Sequence, residues 1–175
     1  MGCDIHLYIE YRSKNAANTD QYWQSFGQRT NPGRNYFMFA LLANVRNYDE
    51  LPVPYALRGM PDDAGYDSGY DNRLYISNEF DEHTVTMERA EQWVKSGSSK
   101  FINNERGEPT WVTHPDWHSH SWLTTNEYEN VINLYLAQPF AKPFGLEPRY
   151  QVVLASMKAF EQLGYDARIV FWFDN

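Results

Sequence analysis

Two short stretches of the chain carry side chains with the means to do chemistry. Near the start, "MGCDIH" places Asp4 and His6 two positions apart. On a strand such a pair shares one face. There the carboxylate can fix the imidazole tautomer, or the two can make half of a metal site. The second stretch, "HPDWHSHSWLTTNE", holds three of the five histidines. If it is extended, His118 and His120 share one face, and Ser119 and Ser121 share the other. That pair suits a general acid and base, or a divalent metal such as Zn or Mn completed by Asp4, His6 or Asp116. Thr124 and Glu127 form a capping box immediately afterwards, so the histidines run into a helix N-terminus, where an anion is favoured. Either imidazole alone serves equally well to tie down loop backbone, and His83 and His114 read as surface residues.

Three arginines stand in settings suited to phosphate: "GRNY" with Arg34 next to Asn35, "VRN" with Arg46, and "LRGMPDD" with Arg58. A guanidinium grips phosphate with two parallel bonds, and Gly59 lets backbone come close to a ligand. Arginines at helix ends also commonly anchor loops through carboxylates such as Asp62. Tyr66, Tyr70 and Tyr75, and Trp122 in the histidine stretch, can stack on a nucleobase. The acidic, tyrosine-rich Asp62–Asp71 segment suits a lid; it lacks the spacing of an EF-hand calcium loop. Phosphate-binding, dinucleotide-binding, nucleophile-elbow and zinc-protease motifs are absent. Cys3 falls on the strand face opposite His6 and reads as a small buried residue.

The elements that must position these groups are readable from periodicity. Cys3–Tyr11 alternates as a strand, and "QYWQSF" reads as a second one after a polar connection over Ser13–Asp20. Asn35 caps a helix over Tyr36–Val45 that is apolar nearly all round, with Arg34 and Arg46 at its ends. A long loop is expected from Tyr48 to Tyr75. "TMERAEQWVKSG" reads as a helix closed by Gly97, and "FINNERGEPTWV" as a hairpin. A helix follows Thr124, another opens at Pro148 and closes at Gly164, and "ARIVFWF" reads as a buried strand. The expectation is an α+β fold in one domain, residues 1–175. Its mixed or antiparallel sheet is built from the N- and C-terminal strands and hairpins and packs with three or four helices.

Composition sets the outer bounds. A chain of 175 residues can bury a full core, and 42% hydrophobic with 17% aromatic content excludes disorder. A net charge of −8 argues against long nucleic acid as a partner, yet a local arginine cluster can still hold a small anion. One cysteine excludes an internal disulfide and fits a reducing cytoplasm. No apolar run reaches the length of a membrane span, and the first residues lack signal-peptide and myristoylation patterns. A homo-oligomer is compatible with all of this.

Taken together, "MGCDIH", "RNYFMFALLANVRN", "RGMPDD", "HSHSWLT" and "RIVFWFDN" resemble an uncharacterised family of small bacterial and phage proteins, over the whole chain. The phage context of that family implies a counter-defence role in the host cytoplasm, directed at a nucleotide immune signal. The residues themselves are read first as a phosphodiesterase-like hydrolase of a small nucleotide or cyclic nucleotide. In that reading Asp4, His6, His118 and His120 are catalytic or metal-binding, and Arg34, Asn35, Arg46, Arg58, Tyr66, Tyr70 and Trp122 hold the ligand. The second reading is a binding protein that sequesters such a signal without cleaving it. The third is a structural or interaction protein.

Overall fold

Strands from the two ends of the chain lie side by side, and the candidate chemistry gathers where they meet. The computed structural model describes residues 2–15, 21–79, 81–143 and 145–175, so part of the expected Ser13–Asp20 connection lies outside the described residues. In chain order the elements are β1 (Ile5–Ser13), β2 (Gln24–Ser25), α1 (Tyr36–Ala43), α2 (Tyr66–Asp71), β3 (Arg73–Ile76), β4 (Thr84–Val85), α3 (Met87–Ser96), β5 (Phe101–Asn103), β6 (Pro109–Thr113), β7 (His118–Thr124), α4 (Thr125–Ala137), α5 (Pro148–Gln162) and β8 (Tyr165–Phe173). The fold is α+β, as the sequence implies. It packs as two compact units, one of residues 1–66 with 118–175 and the other of residues 67–117.

The first unit holds an antiparallel sheet in the order β2-β1-β8-β7. β1 and β8 pair along their whole lengths, from Ile5 opposite Phe173 to Ser13 opposite Tyr165. One sheet face presents Ile5, Leu7, Ile9, Ile169, Phe171 and Phe173 to a core completed by α1, α4 and α5. Helix α1 can be apolar all round because that core surrounds it: Met38 through Ala43 are all buried. Asn35 caps it by accepting from the Met38 N–H, and Asn44 ends it in the left-handed region at φ 59°. The capping box at Thr124 forms as expected, with both reciprocal bonds present.

The other sheet face is polar in sequence, the pattern ordinarily met by water on an antiparallel sheet. Here it is buried: His6 is 8% exposed, Glu10 0% and Arg168 3%. Burial is tolerated because the charges are paired. Arg168 donates from Nε to Glu10 at 2.7 Å and from Nη1 to Asp63 at 2.8 Å, and Glu10 also accepts the Gly65 N–H at 2.7 Å. The guanidinium lies 4.0 Å over the Trp23 ring. Burial would raise the Asp63 carboxyl, but its bonds to Arg168 and Trp23 hold it below the usual range.

The second unit has a mixed sheet in the order β4-β3-β6-β5, its single parallel pair being β3 with β4. Leu74, Val85, Ala90 and Val112 form its small core, with Trp93 and Val94 of α3 packed against them. The "NNERG" turn joins β5 and β6 as a hairpin. The expected Tyr48–Tyr75 loop is shorter than its composition suggests, because α2 and β3 form inside it. β3 is specified by its ladder to β6, where Tyr75 faces Trp111, a partner distant in sequence.

Candidate functional site

The site is built at the end of the first sheet where β1 begins, β8 ends and β7 begins. His6 is the second residue of β1 and stands opposite Trp172 in the ladder. Its Nε2 lies 2.9 Å from the Asp174 carboxylate, and its Nδ1 lies 2.8 Å from Arg29 Nη1. A guanidinium can only donate, so Nδ1 accepts and the proton sits on Nε2, donated to Asp174. The tautomer of His6 is thereby fixed by two charged partners of opposite sign.

Asp174 is also tied to Asp4. Its Oδ1 accepts the Asp4 N–H at 2.8 Å, and its own N–H donates to the Asp4 carbonyl at 3.1 Å. The expectation that Asp4 orients His6 is corrected here: Asp174 does so. Asp4 lies just before β1 and turns its carboxylate to Arg34, which donates from Nε at 3.0 Å and from Nη2 at 2.7 Å. That pair of bonds holds the Asp4 carboxyl below its usual range. Asp4, Asp174, His6, Arg29 and Arg34 thus form one continuous polar chain.

The histidines of β7 depart from the expected shared face. Ladder register runs from His118 opposite Phe173 directly to Ser121 opposite Phe171, so Ser119 and His120 together face Trp172. This is a β-bulge, and Ser119 adopts the left-handed region at φ 54°. The extra residue leaves His118 in register with Phe173, and its ring packs 6.2 Å from that core residue. His120 instead stacks on Trp172 at 5.8 Å, and His6 stacks on the same indole at 5.5 Å. Because β8 runs between β1 and β7, Trp172 stands between the two imidazoles. Burial, then the charges of His118 and His6, pushes His120 down to about 4. Ser119 Oγ sits 2.9 Å from His118 Nδ1. The Nε2 atoms of both His118 and His120 are buried without a hydrogen-bond partner among the described residues.

The remaining expected ligand groups are mostly engaged in holding the fold. Arg58 makes a two-pronged contact with Glu127, one bond being 2.9 Å, and lies 4.4 Å over the Trp122 ring. Trp122 is therefore covered by a cation. Arg46, at the end of α1, donates to the Tyr48 hydroxyl at 3.2 Å. Asn35 is buried, and its amide donates to Tyr135 Oη at 3.1 Å and to Glu147 at 2.7 Å. Tyr66 is 79% exposed. Tyr70 belongs to the second unit, where its ring meets His83 and Trp111. Cys3 is buried, which raises its thiol pKa, as expected of an inert core thiol.

Among the described residues, no three His, Cys, Asp or Glu side chains gather as a metal-ligand set. No described helix is long and apolar enough to cross a membrane. Two contributors escaped the sequence reading. Asp174 had a signal, since it is the first acid after a strand buried from Ala167 to Phe173; Arg29 had none. No family model, curated protein or solved structure matches the chain.

Proposed function

We propose that this protein hydrolyses a small phosphate ester of the nucleotide class, with His6 as the general base. The observation that carries the reading is the Asp174–His6–Arg29 chain. A carboxylate that accepts from one ring nitrogen stabilises the imidazolium that forms when the other nitrogen takes a proton. Arg29, which is exposed and donates to that nitrogen, moves to an incoming phosphate and withdraws its donor from Nδ1. Water then loses a proton to Nδ1 while its oxygen adds to phosphorus. The ester P–O bond breaks, and the departing oxygen takes the proton back from the imidazolium. Arg29 and Arg34 offset the charge on the phosphoryl oxygens. His120, whose pKa is pushed down to about 4, is neutral at neutral pH and is not the acid of this scheme.

The experiment is incubation of the full chain with linear and cyclic nucleotides, in EDTA and with added Zn2+ or Mn2+, followed by chromatography. Turnover is expected in wild type. Asp174→Asn should lower it by about a hundredfold or more, while retaining the Oδ1 acceptor for the Asp4 N–H. The absence of turnover with every nucleotide and metal, or an Asp174→Asn variant as active as wild type, overturns the reading.

Capture without cleavage is the second reading, and one observation favours it. Both nitrogens of His6 are occupied, and Arg34 and Arg58 are each closed on a carboxylate. Heating a loaded sample and recovering the nucleotide intact distinguishes capture from hydrolysis. A counter-defence role against a nucleotide signal accommodates either chemistry.

A further inference from the structure

Beside the Asp4–Arg34 pair opens a cleft of about 530 Å³, within the size range of small-molecule sites. Its walls include the half-buried rings of Tyr36 and Phe37 from the first turn of α1, together with the half-buried ring of Phe140. Phe37 and Phe140 stack on each other at 3.8 Å, which fixes the two rings as one aromatic wall. Arg34 and Glu147 also line the cleft. Glu147 is held by the buried Asn35, whose amide donates to Oε2; Oε1 has no hydrogen bond among the described residues.

The lining therefore combines aromatic surface, one cation and one positioned carboxylate with acceptor capacity to spare. Aromatic surface of this kind packs against a planar ring, edge-on or face-on. A carboxylate accepting on two lone pairs fits a ring edge with adjacent N–H donors, and a guanidinium fits phosphate. Adenine, cytosine and uracil do not present two adjacent donors of that kind, whereas guanine does, at N1 and its exocyclic amine.

We propose that this cleft is the specificity pocket of the site and takes the base of a guanine nucleotide, with Glu147 on the base edge and Arg34 directing the phosphate toward His6. This rests on the reading of the neighbouring cluster as a phosphate-ester site. Glu147 acts here as a specificity residue and takes no part in proton transfer.

The test is calorimetric titration of the full chain with guanosine, inosine and adenosine 5′-monophosphates. Inosine keeps the N1–H and lacks the exocyclic amine. Affinity is expected to fall in the order guanosine, inosine, adenosine, with about tenfold or more between the first and last. Glu147→Gln should level the series. The wild-type series needs no variant, so it decides the matter even if Glu147→Gln fails to fold. Equal affinities across the three, or no binding of the guanosine compound, overturns the pocket. Guanosine monophosphate bound with the expected preference, but no nucleotide cleaved, removes the hydrolytic reading and leaves the pocket. Cleavage without base preference does the reverse.

Discussion

His6 and His120 flank one indole and live under opposite rules. His6 has an anion at one nitrogen and a cation at the other, whereas His120 is half-buried and its enclosed Nε2 has no hydrogen-bond partner among the described residues. Keeping His120 neutral has a consequence for stability. Its ordinary value is 6.5, and in the folded protein it falls to about 4. Between those values the unfolded chain binds the proton and the folded chain does not, so stability drops as pH is lowered through that window and levels off below it. The loss amounts to at most about 3 kcal/mol. Urea denaturation at pH 7 and pH 4.5 should show His120→Gln losing less stability than wild type over that interval. An NMR titration of His120 with a midpoint near 6.5 would sink the argument. The sequence made the histidines visible as candidates, since their type and spacing are local. It could not reveal that Asp174, 168 positions from His6, rather than Asp4, holds that ring.

At the scale of elements, the single residue that decides the site's layout is Ser119. Counting by twos from His118 assumes a regular strand, and one left-handed residue breaks the count. Local pattern does not announce such a bulge, because Ser is unremarkable there and the cause is the ladder to β8. Ser119→Val places a β-branched side chain at φ 54°, which should cost about 1–2 kcal/mol and drive the strand toward regular register. The check is the denaturation midpoint together with the His120 ring shifts, which should lose the influence of Trp172. Unchanged stability and unchanged shifts would mean that the bulge does not depend on this residue. Elsewhere local rules sufficed: the caps at Asn35 and Thr124 and the stop at Gly97 all form where the residue types demand.

For the molecule as a whole, the polar face of the first sheet is covered by its own chain, and the Glu10–Arg168–Asp63 group is the fastening. The alternation of Glu10 with Ile9 and Tyr11 reads as a wet face. Only the return of Asp63 and Gly65 from the following loop makes it dry, and that return depends on tertiary structure. Glu10→Ala leaves a buried guanidinium with one carboxylate fewer and exposes the Gly65 N–H to a void, so it should cost about 3–5 kcal/mol. Replacing Glu10 and Arg168 together by Leu and Met should cost less than Glu10→Ala alone, as read from urea denaturation. A double variant weaker than the single one would show that the loop is held by the charges themselves and not by the need to satisfy them.

The pairing of β1 with β8 also sets a time at which the protein can exist. The two halves of the Asp174–His6 pair come from strands that must close across almost the entire chain, and long closures delay folding until the distant partner is present. During synthesis β1 waits, the edge that β8 will pair still open and its apolar face uncovered by that strand, while the second unit's local hairpin is free to form first. Any product that stops short of β8 has neither the core strand nor the orienting carboxylate. A ribosome that stalls before β8 would therefore release no half-working protein, only a chain with an exposed strand for quality control to find.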